Sequence, residues 1–253
     1  MPLKAPEIRL IGLRGVPEIK PYDDLPSLIV QAAGKNGIRF RDGDVLVVTQ
    51  KVVSKAEGRL LKLDRINPSP LASSMAKILR KDARVVELVL RETRRIVRMT
   101  RGIIIVETRH GFVCANAGVD QSNVENGFAL LLPLKPDKSA ENLRNVIRRK
   151  TGAEIGVIIS DTFGRPWREG QVDVAVGVAG VAPLIDYRGL RDKHGYQLKA
   201  TIMAAADELA SAAELVMEKL SGVPAVVVRG FKGPFKEGSS RELVRPWSRD
   251  LFR

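Results

Sequence analysis

The 253-residue chain is predicted to fold as a mixed α+β (mixed α/β) unit rather than as a Rossmann or P-loop domain, and three features of its sequence carry that prediction. Apolar, β-branched runs and helical patterns follow one another in irregular order instead of alternating regularly. No GxGxxG or GxxxxGKS/T follows a strand-like run, so the two common phosphate-binding turns are missing. No Ser/Gly linker, low-complexity stretch or repeat of fixed period divides the chain. Its length suits one large unit or two interlocked subdomains, and it is taken as a single unit over 1–253.

In chain order, a helical pattern over about 24–36 precedes the strand-like DVLVVT at 44–49. About 70–97 reads as one or two helices, followed by strands GIIIVET at 102–108 and FALLLPL at 128–134. A helix over about 139–151 leads to strands EIGVIIS at 154–160 and QVDVAVGVAGV at 171–181, the latter alternating small and branched residues as a closely packed sheet requires. The helix over about 201–220 has the clearest period. Ile202, Ala205, Ala206, Leu209, Ala213, Val216 and Leu220 recur at 3.6-residue spacing, while Asp207, Glu208, Ser211, Glu214 and Glu218 lie elsewhere. The strand PAVVVRG at 224–230 completes the order.

Composition narrows the function. The start MPLKAPEIRLIGLRG mixes charges with apolar residues too early for a signal-peptide core, and no apolar run approaches the roughly 20 residues of a membrane span. A cytoplasmic protein without a membrane partner is expected. One cysteine, Cys114, excludes an intramolecular disulfide and any multi-cysteine metal site. The formal net charge of +13 is uneven, because residues 77–109 hold ten Lys/Arg against four Asp/Glu and residues 229–253 hold seven against three. Such a surface attracts nucleic acid, phosphorylated small molecules or polycarboxylates, or serves only to solvate helix faces. With no aromatics interleaved among the basic residues and no zinc-finger spacing, a nucleic-acid partner is poorly supported.

The sharpest site signal is VIISDTFGR at 157–165, where a buried strand is expected to end in Ser160, Asp161 and Thr162 and to turn at Gly164. That places a carboxylate and a hydroxyl at the carboxyl end of a strand, where open α/β sheets bind ligands; the alternative is that Asp161 only caps the turn. Arg165 and Arg168 follow at once and suit phosphate oxygens or an acceptor carboxylate. A second isolated carboxylate, Asp120, lies in CANAGVDQSNVENG with Asn116, Asn123 and Asn126, all of them turn formers as well. Two separated carboxylates suit a hard divalent cation that bridges phosphates. In TQKVVSKAEGR, Lys51, Lys55 and Arg59 stand four residues apart as a cationic edge for triphosphate, or as a solvated face. His110 and His194 sit in polar turns and no serine or cysteine has a nucleophile elbow, which argues against a hydrolytic triad.

Taken together, VVTQKVVSKAEGR, NAGVDQSNV, SDTFGRPWREG, AAADELASAAELVM and GVPAVVVRG, in this order over nearly the full length, closely resemble the coenzyme F-420-0:L-glutamate ligase family in its stand-alone form. The resemblance implies a GTP-dependent, amide-forming ligase that joins L-glutamate to a phospholactyl deazaflavin and then adds further γ-linked glutamates through an acyl phosphate. An amide-forming ligase of the same fold with a different carboxylate acceptor is the alternative. The resemblance also implies two α+β parts interlocked in a butterfly-like homodimer. It assigns Asp120 and Asp161 as ligands of divalent metal, Mn²⁺ or Mg²⁺ and two ions in all, with Thr162 at the second; K⁺ is a further expected ion. Asp120, Asp161 and Lys55 are then the catalytic candidates. GTP contacts are expected from Val16, Pro17, Glu18 and Ile19, from Gln50, Lys51, Lys55 and Asn123, and from Met217, Glu218, Lys219, Gly222 and Val223. Glu218 departs from the family pattern, which has glycine after this methionine.

Overall fold

The computed structural model describes residues 5–251; Met1–Lys4, where the absence of a signal-peptide core begins to be read, and Arg253, the last cation of the basic carboxyl-terminal stretch, lie outside it. The elements run β1 (Arg9–Gly12), α1 (Leu25–Lys35), β2 (Val45–Thr49), α2 (Gln50–Ala56), β3 (Leu60–Lys62), α3 (Pro70–Leu79), α4 (Ala83–Glu92), β4 (Thr93–Thr100), β5 (Ile103–Thr108), β6 (Val113–Ala115), β7 (Phe128–Leu130), α5 (Pro136–Thr151), β8 (Gly156–Arg165), β9 (Arg168–Ala179), β10 (Ile185–Asp186), β11 (Ile202–Met203), α6 (Ala205–Met217) and β12 (Ala225–Arg229). The fold is α+β, with sheets of mixed direction and neither of the two phosphate-loop architectures.

The main sheet has the order β1-β12-β2-β8-β9, and only the β2–β8 pair is parallel. Its central strands are buried on both faces, which is why they read as unbroken runs of Val and Ile. Alternation sorts the two faces. Leu46, Val48, Val157, Ile159 and Val227 pack under α1 and α5, while Val45, Val47, Ile158, Val226 and Val228 pack under α6. Asp44, 1% exposed at the start of β2, accepts a two-pronged ion pair from Arg229 at 2.8 and 2.7 Å, which ties β2 to the end of β12.

Between α2 and α5 the chain builds a second group of elements: α3 and α4, the β4-β5-β6 ladder and the β3–β7 pair, with two smaller hydrophobic clusters of their own. Here the sequence pattern misleads. The one or two helices expected over about 70–97 are two and end early: Arg80, left-handed at φ 55°, closes α3, and Asp82, whose side chain accepts from the Arg84 amide, starts α4. From Thr93 the chain becomes a strand, because β5 offers hydrogen bonds to a segment of β-branched Thr93, Ile96 and Val97. The strand expected over 128–134 stops at Leu130, three residues before Pro133, which has no N–H to donate. The helix expected over about 201–220 is shorter at both ends, and Leu220 is 95% exposed rather than part of the apolar stripe. No helix among the described residues is long and apolar enough to cross a membrane.

Candidate active site

The ladder between β2 and β8 ends at the Thr49–Ser160 rung, and the two chains then part: β2 turns directly into α2, while β8 runs on to Arg165 as a hairpin arm with β9. The strand that was expected to end at Thr162 therefore continues, and Gly164 is paired rather than turning. Asp161 still emerges just past the carboxyl end of β2. Opposite Ile159 and Ser160, β9 carries an extra residue, Val176, in a β-bulge. The bulge shifts the phase of β9, so that beyond it Asp173 comes to lie opposite Thr162.

A cavity of about 770 Å³ opens at this point. Val16, Pro17, Glu18 and Ile19 line it, as do Gln50, Lys51, Lys55, Asp120, Asn123, Asp161, Thr162, Met217, Glu218, Lys219, Gly222 and Val223. All the residues selected as catalytic, nucleotide-binding or metal-ligating are thus brought together from five separate stretches of chain. Arg165 and Arg168 do not join them. They stand at the hairpin tip, where Arg165 donates to the carbonyl oxygens of Glu169 and Gly170. The cationic edge is also reduced, since Lys51 and Lys55 lie on α2 while Arg59 turns away to Glu92 at 3.0 Å.

Two groups of oxygens face the cavity from opposite sides of β8. On one side Asp120 Oδ2 lies 2.7 Å from Lys51 Nζ, and Ser122 closes the turn by donating its amide and hydroxyl to the same carboxylate at 2.8 and 2.9 Å. Burial pushes the Asp120 carboxyl up, but the Lys51 and Ser122 donors outweigh it and hold the group below its usual value. Asp161 shares this side and is not so balanced. Burial, and then the charges of Asp173 and Asp120, push it up to about 7 against one backbone donor and the more distant Lys51.

On the other side the Ser160 and Thr162 hydroxyls donate to the buried Asp173 carboxylate at 2.9 and 2.7 Å. Lys219 Nζ reaches Thr162 Oγ1 at 2.8 Å, Glu214 at 3.1 Å and Asp173 at 3.5 Å. Burial works against the Lys219 charge, but Asp173 and Glu214 carry its pKa above the usual value. Across the mouth, Lys55 Nζ lies 2.6 Å from Glu18 and 3.1 Å from the Asn123 carbonyl oxygen.

Two wall atoms are buried and unpartnered, Gln50 Nε2 and Asn116 Oδ1. Buried polar atoms without partners are uncommon, and in a cavity wall they point to a polar ligand. Asn116 was read as a turn former, and it is one, with φ 52°; Asn123, at φ 55°, is another. Among the described residues no three His, Cys, Asp or Glu side chains converge as a closed metal cage. The donors are hard oxygens on an open wall, which fits a divalent cation that completes its shell with phosphate and water.

Sequence reading missed Asp173 and Glu214, and placed Ser160 at the end of the strand without giving it a role of its own. Asp173 had a local signal, a lone carboxylate at a buried position of VDVAVGV, 3% exposed in the fold. Its partners face it across the β8–β9 ladder and from Lys219 after α6.

The family model described as F420-0:Gamma-glutamyl ligase matches residues 14–230. The coenzyme F420:L-glutamate ligase of Methanothermobacter thermautotrophicus is 48% identical over 97% of this chain and 99% of its own. The proteins of the same description from Methanopyrus kandleri and Archaeoglobus fulgidus are 50% and 44% identical, covering 93% and 97% of this chain and 94% and 96% of theirs.

Proposed function

Since the chain belongs to the F420-0:gamma-glutamyl ligase family, we propose that it is a GTP-dependent ligase that joins L-glutamate to the terminal carboxylate of the phospholactyl deazaflavin and extends the product with further γ-linked glutamates. The observation that carries this reading is the convergence of the three cations Lys51, Lys55 and Lys219 with the carboxylates Asp120, Asp161 and Asp173 on one cavity of about 770 Å³. A triphosphate needs cations for its oxygens, and lysine supplies a mobile point charge.

In the proposed course the acceptor carboxylate attacks the γ-phosphorus of GTP and GDP departs. The glutamate amine then attacks the resulting acyl phosphate, loses a proton and expels inorganic phosphate. Catalysis of this kind is mostly positioning and charge neutralisation. Val16–Ile19 and the 217–223 turn flank the nucleotide, and Gln50 Nε2 and Asn116 Oδ1 find partners in the bound polar ligand. Lys55 is well placed for phosphate because Glu18, 78% exposed, is its movable partner. Mn²⁺ or Mg²⁺, two ions in all, would be held by Asp120, Asp161 and Thr162, and would supply neutralisation of phosphate charge. K⁺ is a further expected ion, and the working form is a homodimer.

The test is direct. The protein is mixed with GTP, Mn²⁺, L-glutamate and the phospholactyl deazaflavin, and mass spectrometry follows successive glutamyl additions alongside GDP release. Turnover only with another carboxylate acceptor replaces the substrate assignment. Asp120→Ala and Asp161→Ala are each expected to lower ligation by at least about a hundredfold, the scale of a lost transition-state charge contact, with an unchanged circular dichroism spectrum. Full activity in either variant removes that residue from the site.

A further inference from the structure

A second cavity of about 760 Å³ opens between the β4–β5 ladder and the carboxyl-terminal stretch, and among the described residues its wall carries Arg94, Arg95, Arg109, Arg241 and Arg245 with Glu107 as the one acidic residue. The two stretches in which the surplus positive charge is concentrated, 77–109 and 229–253, therefore meet in one concave place. Substrates of the first cavity do not account for this charge. His110 lines the second cavity and stacks on Phe112 at 5.7 Å, and Phe112 meets Phe163, the neighbour of Thr162, edge-on at 6.4 Å. One row of aromatic rings thus lies between the two cavities.

The wall itself shows which ligand chemistry it accepts. Glu107 is held between Arg94 at 3.2 Å and Arg95 at 3.1 Å, a carboxylate taken by guanidinium groups. No described residue pairs with the side chain of Arg109 or Arg241. Base stacking is poorly served, because one face of Trp247 is occupied by the Arg95 guanidinium 4.3 Å away and the His110 ring is stacked on Phe112. Planar donors spread along a trough match carboxylates spaced along a chain.

We propose that this cavity is a second anion site that holds an oligo-γ-glutamyl chain through Arg109 and Arg241. The proposal rests on the ligase reading, because the product of such a ligase grows by one free α-carboxylate with each glutamate. Held there, a growing tail stays on the protein while its end is presented for another addition.

The experiment is a calorimetric titration of the full chain with tri-γ-glutamate, without GTP. Wild type is expected to bind saturably, more weakly as salt is raised. The double variant Arg109→Ala/Arg241→Ala is expected to bind roughly tenfold more weakly or worse, the scale of lost charge-assisted hydrogen bonds. The charge-matched control Arg149→Ala/Lys193→Ala, at two exposed cations elsewhere, keeps wild-type affinity, and binding of a non-hydrolysable GTP analogue is the same in all three. Unchanged peptide binding in the Arg109/Arg241 variant, an equal loss in the control, or no binding to wild type overturns the proposal. So does displacement of the peptide by an oligonucleotide of equal charge at lower concentration, which makes the cavity a nucleic-acid surface. The titration involves no turnover, so its failure is separate from failure of the ligase reading, which would appear as absent glutamylation in wild type.

Discussion

Asp161 carries a strain that is electrostatic. Its carboxyl, with an ordinary value of 3.8, is pushed up to about 7 by burial and by the charges of Asp173 and Asp120. The metal-free fold thus favours protonated Asp161. That contribution to stability is complete below about pH 4, declines as pH rises and is gone above about 7. The metal-free melting temperature should therefore fall between pH 5 and 8. Asp161→Asn, neutral throughout, should flatten this part of the profile and stabilise the metal-free protein at pH 8 by about 2 kcal/mol, less than the full shift implies because water reaches the site. An Asn variant that melts at the wild-type temperature at pH 8 contradicts the argument. Glu218 carries a different strain, in its backbone. At φ 49° and ψ −177° it occupies a conformation that suits glycine. Glu218→Gly should raise stability by about 1 kcal/mol in urea denaturation, and a loss of stability would show that the side chain contributes more than the strain costs.

At the scale of elements, the first turn of α5 lies directly on the bulged part of β9. A Cβ added to Gly177 would meet the Pro136 carbonyl oxygen at 2.6 Å, and Asp137 accepts from the Val178 amide at 2.8 Å. Gly177→Ala must push α5 off the sheet, since backbone cannot step aside as a side chain tip can. It should lower the unfolding free energy by about 1–3 kcal/mol, read as a lower denaturation midpoint at unchanged slope, and a midpoint equal to wild type would mean that α5 tolerates the shift. The central strands β12, β2 and β8 were legible because burial on both faces writes unbroken Val and Ile runs such as VLVVT and AVVVR, whereas the edge strand β1, less buried, was not read. β4 was not legible, because Thr93–Thr100 acquires its conformation from pairing with β5 and not from its own periodicity. The site divides in the same way. Asp120, Asp161 and Lys55 stand in recognisable motifs, whereas Asp173 matters because of Ser160 and Thr162 on the opposing strand.

For the whole molecule, the cavity draws on Val16–Ile19 near one end of the chain and on 217–223 near the other, so the fold as a unit is what makes the site. If the homodimer belongs to the working form, light scattering should give twice the 27.8 kDa of one chain at assay concentration, and a monomer mass alongside full activity would dismiss it. The strand order β1-β12-β2 has a consequence for synthesis on the ribosome. β1 and β2 are made early, yet the place between them belongs to the last strand, Ala225–Arg229. At about 5–20 residues per second the edge of β2 waits for its partner for on the order of ten seconds or more. Throughout that interval VLVVT presents an open, apolar edge, the kind of segment that chaperones hold and that pairs with neighbouring chains. A nascent chain stopped before residue 225 would lack the closed sheet, and its 217–223 turn would have no following strand to hold it at the cavity.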